Sequence, residues 1–120
     1  MIRAAAIASV ASIAALVAGC FDATTIDEYP CPPDGTALTY ASFGEDFLAA
    51  NCETCHAADA PSRHGAPEAF TFDTLDQVRG HADRIFVRAA AGNTTMPPGP
   101  DDPPADERAR LAEWLACGAP

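Results

Sequence analysis

Five consecutive residues, Cys52-Glu53-Thr54-Cys55-His56, constrain this chain more than any other feature in it. Two thiols at this spacing, on a turn that continues into helix, are presented together, and an imidazole follows at once. A C-x-x-C pair alone would suit a thiol-redox centre or a zinc site, but neither needs a histidine immediately after it. The string reads instead as a site of covalent c-type haem attachment, with the thiols reaching the two porphyrin vinyl groups. His56 then supplies the proximal nitrogen to the iron.

With 120 residues the chain has room for one small domain. Residues 1–19 read as an export signal: Arg3 gives a positive start, and Ala4 to Val17 is apolar but too short to span a bilayer. The stretch ends in Leu16-Val17-Ala18-Gly19-Cys20, which resembles a bacterial lipobox. That resemblance implies lipidation of Cys20 as the first residue of a membrane-anchored periplasmic lipoprotein. The alternative is a plain secretory signal cut near Gly19, leaving Cys20 a spare thiol. Residues 20–37 follow as a lipidated tether and 38–120 as the folded domain. Pro30-Cys31-Pro32-Pro33-Asp34-Gly35 argues against helix or strand, so the tether is expected to be irregular and pinned only where Cys31 is bridged.

The five cysteines then sort themselves. With Cys20 assigned to lipid and Cys52 and Cys55 to haem, Cys31 and Cys117 remain at the two ends of the domain. Export would place them where a disulfide persists. Such a bridge closes nearly the whole domain into one loop, worth roughly a few kcal/mol in the chain-entropy model. The rival bridge, Cys52 with Cys55, leaves His56 without a purpose and lacks a thioredoxin-like setting.

Seventeen acidic residues face seven arginines, lysine is absent, and the formal net charge is −10. Loss of residues 1–19 would remove Arg3 and make the chain one unit more negative. Nucleic acid and anionic membrane surfaces are excluded as partners held by charge. Redox partners with basic or apolar docking faces are expected; a general solubility charge is the alternative.

Hydropathy patterning predicts three helices. The first runs from about Ala41 to Asn51, with Phe43, Phe47 and Leu48 on one face. Residues 57–70, with Pro61, Gly65 and Pro67, read as a loop around the cofactor, followed by a short extended piece at Phe70-Thr71-Phe72. Asp73 is expected to cap the second helix, whose apolar positions are Leu75, Val78, Ala82, Ile85, Phe86 and Ala89. Gly80 weakens its middle and Gly92 stops it. After a proline-dense loop over 93–103, the third helix starts near Pro104 or Ala105 and ends before Gly118, burying Leu111, Trp114 and Leu115. The fold class is all-α with long loops, and its core is too thin unless the haem fills it.

The sixth iron position falls to Met96, the only methionine once Met1 leaves with the signal. It lies in Thr95-Met96-Pro97-Pro98-Gly99, where prolines stiffen the backbone beside the sulfur. A soft thioether favours reduced iron and raises the potential. Core filling is the other use of a lone methionine, but a polar, proline-rich loop suits it poorly. His64 and His81 are the rival ligands.

From Thr39 to Pro120 the chain resembles the small mono-haem class I cytochromes c. Gly44 and Leu48, eight and four positions before the first haem cysteine, match a glycine and a large residue that pack on the family's last helix. Leu48 replaces the usual aromatic, with Phe47 a candidate to share its role. Leu111 and Trp114 match their partners, and the absent Cβ of glycine lets two helix backbones cross closely. Met96-Pro97-Pro98 and the closing Trp114-Leu115-Ala116-Cys117-Gly118 are similar to exported myxobacterial and planctomycete members. The resemblance implies the small cytochrome c fold around one covalent haem c and its iron. It also implies that the Pro67 carbonyl accepts from the Nδ1–H of His56.

Three arginines have readings of their own. Arg79, with Asp76 and Asp83 at helical spacing, reads as a surface ion pair. Arg84 and Arg88 read either as partners of the haem propionates or as a solvated face. No acid–base or nucleophilic constellation is present, so the expected role is that of a single-electron carrier and not an enzyme. The alternatives are a haem-based gas sensor or small haem enzyme with a displaceable Met96, a fixed subunit of a larger complex, and a zinc or thiol-redox module.

Overall fold

The computed structural model describes residues 24–120; the expected export signal, the lipid site Cys20 and Phe21 to Ala23 lie outside the described residues. Regular structure within them is entirely helical: α1 (Glu45–Asn51), α2 (Glu53–His56), α3 (Leu75–Gly80), α4 (Ala82–Ala89) and α5 (Ala105–Ala116). A 3-10 turn at Ile26–Glu28 comes before them, and a π-helical turn at Tyr40–Gly44 leads into α1. The all-α class and the small cytochrome c architecture therefore hold. Among the described residues no helix is long and apolar enough to cross a membrane.

Five helices stand where three were expected, because two of the three are broken. Thr39 opens the first, its hydroxyl accepting from the Ser42 amide while its own amide donates to the Ser42 hydroxyl. The helix bends at Cys52, whose φ of −123° leaves the α region, but the ladder continues through Cys52 N–H to the Leu48 carbonyl and His56 N–H to the Cys52 carbonyl. α2 thus carries the attachment string past the expected end at Asn51.

The second expected helix breaks at His81, directly after Gly80, into α3 and α4. Its cap is Thr74, not Asp73: Thr74 and Gln77 form a reciprocal capping box. Asp73 is engaged elsewhere, accepting from the Ala58 amide at 3.1 Å. α4 ends at Ala89, ahead of Gly92, because the Ala91 amide donates to the Arg108 carbonyl on α5 rather than back along its own helix. Residues 70–72 form no strand.

The crossing of the first and last helices sets the core. A Cβ at Gly44 would lie 2.5 Å from Cζ2 of Trp114, so the indole occupies the space that glycine leaves. Leu48, Leu111 and Trp114 are wholly buried, together with Val78 and Phe86. Phe47 is buried in the same core cluster, its ring tilted against Phe43 at 5.3 Å, and it also lines the cavity described below. α5 closes with a Schellman turn, Gly118 at φ +88° letting Ala119 N–H reach the Trp114 carbonyl and Gly118 N–H the Leu115 carbonyl.

Residues 24–37 are held at more points than Cys31. Tyr29 meets the Phe86 ring edge-on at 5.9 Å, and the Thr36 hydroxyl donates to Glu113 at 2.6 Å. Ile26 and Tyr29 offer the core apolar surface that outweighs the prolines' irregularity. Cys31 and Cys117 are joined by a disulfide, their Cα atoms 5.0 Å apart and 86 residues apart in sequence.

Candidate functional site

A cavity of about 540 Å³ opens between α1–α2 on one side and α4 with the loop before α5 on the other. Cys52, Cys55, His56 and Met96 all line it, as do Arg84 and Arg88. Cys52 and Cys55 are free thiols, whereas the other two described cysteines are bonded to each other. Burial, reinforced by the Glu53 charge, pushes the Cys52 thiol up to about 12. A thiol-redox centre needs the opposite shift, toward a ready thiolate.

His56 is oriented by its neighbours. Its Nδ1 lies 2.9 Å from the Phe70 carbonyl, which only accepts, so Nδ1 carries the hydrogen and donates. Nε2 is left with its lone pair and makes no hydrogen bond among the described residues. Phe72 stacks on the imidazole at 4.8 Å, and its amide donates to the His56 carbonyl. The acceptor is Phe70 and not Pro67, because the Pro67 carbonyl is already bonded to the Phe70 amide and to Arg63.

Arg63 organises that loop. Its guanidinium donates to the carbonyls of Ala66, Ala57, Pro67 and Phe70 at 2.7–3.3 Å. Nothing in the sequence separates it from an ordinary loop arginine.

On the other side, Met96 stands in a loop whose anchor is also an arginine. Nη1 of Arg108 donates to the carbonyls of Ala89 (2.8 Å), Asn93 (3.0 Å) and Met96 (2.8 Å). The Met96 amide and the Thr95 hydroxyl both donate to the Arg88 carbonyl. Arg108 is only 3% exposed. Its signal was legible: it falls on the helical stripe of Leu111, Ala112 and Leu115, where an arginine is out of place unless it is bonded.

The remaining candidates separate. Arg84 and Arg88 lie one turn apart on α4 at the cavity, and among the described residues neither has a carboxylate within ion-pair distance. His64 also lines the cavity. His81 does not; its Nε2 donates to the Ala69 carbonyl at 3.0 Å and its ring tilts onto Phe70, so it is neither free nor placed to face Met96. Arg79 forms no ion pair with Asp76 or Asp83. It donates instead to the Ala119 carbonyl at 3.1 Å, which the Schellman turn brings within reach.

The donor set fits a covalently held haem. Two unbonded thiols, an imidazole with a free Nε2 lone pair, a thioether and two arginines are gathered on one largely apolar cavity. A zinc site is not assembled: among the described residues no three His, Cys, Asp or Glu side chains converge to hold an ion.

Comparison with known families gives a match, over residues 41–115, to the family described as cytochrome c oxidase, cbb3-type, subunit III. Comparisons with curated proteins and with solved structures give no match.

Proposed function

Because the chain belongs to the cbb3-type cytochrome c oxidase subunit III family, and so is a c-type cytochrome domain of electron transfer, we propose that it carries single electrons between membrane or periplasmic redox partners. Cys52 and Cys55 would hold one haem c covalently, with His56 and Met96 the residues that would ligate its iron. The haem supplies a ferric–ferrous couple. The protein supplies the surroundings of that couple. Phe70 fixes the His56 ring and raises its basicity through the Nδ1–H bond. Phe47, Phe72 and Ile85 keep the cavity apolar, while Arg84 and Arg88 offer fork-shaped donors to the two propionates. No residue is assigned acid–base or nucleophilic work.

Lipidation of Cys20 would keep the carrier at a bacterial membrane surface, where a respiratory complex or dehydrogenase operates. The acidic chain is expected to meet partners with basic or apolar faces. The observation that carries the proposal is the gathering of Cys52, Cys55, His56 and Met96 on one cavity.

Optical spectra of the matured protein, oxidised and reduced, with and without carbon monoxide, test it. A weak far-red charge-transfer band in the ferric form and a ferrous spectrum indifferent to carbon monoxide are expected. Ready carbon monoxide binding would put a sensor or small haem enzyme ahead. Absence of a Soret band after expression with haem-maturation machinery would favour a thiol or zinc module.

A further inference from the structure

Arg108 is the one buried charged residue among the described residues, and its surroundings are specific. Nη1 gathers three carbonyls, from the end of α4 (Ala89) and from the loop beyond it (Asn93, Met96). Nη2 faces Asp102 Oδ1 at 3.7 Å, an ion-pair distance too long for a hydrogen bond, and has no other partner. Asp102 lies six residues beyond Met96, past the bend at Gly99, whose φ is +71°. One guanidinium therefore grips the Met96 loop at both ends, by main-chain oxygens on the near side and a carboxylate on the far side. The loop's other described bonds to α4 run from the Met96 amide and the Thr95 hydroxyl to the Arg88 carbonyl and from Asn93 Nδ2 to the Phe86 carbonyl.

We infer that Arg108 is the positioning residue that holds Met96 at its cavity, so that retention of the sulfur ligand is governed from α5. The inference rests on Met96 being an axial ligand. Arg108 itself does not line the cavity and acts only through the loop. Nη1 serves the three carbonyls while Nη2 faces Asp102, a division between two nitrogens that asks for a planar fork. Lysine keeps the charge without the fork, and glutamine keeps only one amide donor.

The test uses the haem-loaded, matured protein as wild type, R108K, R108Q and M96A, and reads the ferric far-red band and the rate of carbon monoxide binding to the ferrous form. Wild type is expected to show the band and M96A to lose it. The expected order of carbon monoxide binding is wild type slowest, R108K faster, and R108Q faster by roughly tenfold or more, since losing charge-assisted bonds shifts such an equilibrium by at least that factor. R108K and R108Q both binding at the wild-type rate with the band intact would overturn the inference and leave Met96 ligation standing. A wild type with no band, and M96A indistinguishable from it, would overturn the ligation itself and the inference with it. If R108Q does not accumulate, R108K decides alone: acceleration supports the role and a wild-type rate refutes it. Hydrogen exchange at the Met96 amide supplies a second reading, expected to quicken in R108K ahead of the amides of α1.

Discussion

The two sides of the cavity are built on the same device at different range. On the His56 side, Arg63 collects carbonyls three to seven residues away, within its own loop, and stands half-buried. On the Met96 side, Arg108 collects carbonyls twelve to nineteen residues away from a separate helix, and is buried. A local cradle forms whenever its loop forms, and water can replace a missing donor. A distant cradle exists only while α5 is docked, and its bond to the Ala89 carbonyl is buried where water is no substitute. The imidazole is thus supported by its own neighbourhood, and the thioether by the tertiary fold.

The largest effect should come from the sulfur itself. M96A is expected to turn a ferrous protein inert to carbon monoxide into one that binds it fully, and to lower the reduction potential, while the haem stays attached at Cys52 and Cys55. Difference spectra and a reductive titration measure both. Persistent inertness would point to a replacement ligand, His64 first, since it shares the cavity.

Next in size is the contrast between the arginines. Arg108→Met should cost about 2–4 kcal/mol, because three carbonyls in or near the core lose their donor. Arg63→Met should cost about 1 kcal/mol, since solvent reaches much of its loop. Urea denaturation of the two variants compares them directly. Equal losses would mean that the two cradles do not differ as their burial implies.

Smaller again is the entry to α3, which frames the loop on the His56 side. Thr74→Ala removes the capping box and is expected to cost about 1 kcal/mol. Asp73→Ala, which loses only an exposed contact to the Ala58 amide, should cost less. Thermal melting of the pair would show whether Thr74 or Asp73 is the effective cap.

Local signals carried the reading of the sequence a long way. The attachment string and the apolar stripes of α4 and α5 are short-range patterns, and each has a direct structural counterpart; the Gly44–Trp114 crossing is long-range and was legible only through the family resemblance. What escaped was non-local or competitive. Thr74 and Asp73 are both good caps, and only the Ala58 amide decides between them. The His56 acceptor moved from Pro67 to Phe70 because Arg63 and the Phe70 amide had taken the proline carbonyl, a competition that residue order does not display. Arg79 had two acids at helical spacing, yet the Schellman turn offered it a carbonyl instead. Arg108 alone was readable in principle, as a charge on an otherwise apolar stripe.

Charge divides the two sides as well, and it gives the smallest prediction. Burial, then the charges of Asp73, Glu45 and Asp59, push the Glu53 carboxyl above its ordinary range, so the α2 flank is mutually repulsive. The free cations at the cavity, Arg84 and Arg88, stand on α4. A carboxyl whose folded-state pKa is raised binds protons more readily in the native than in the unfolded state, so stability falls as pH rises through that window. Below the ordinary carboxylate range both states are protonated and the penalty is absent; above the raised value it is present in full. Glu53→Gln should therefore stabilise the protein at pH 7 by roughly a few tenths of a kcal/mol, a partly exposed group being well screened. The gain should fade as pH is lowered toward and below the range in which carboxylates titrate. Melting curves of both proteins from pH 3 to 7 measure it. A gain that persisted at the acid end would have to come from packing beside Cys52 rather than from charge.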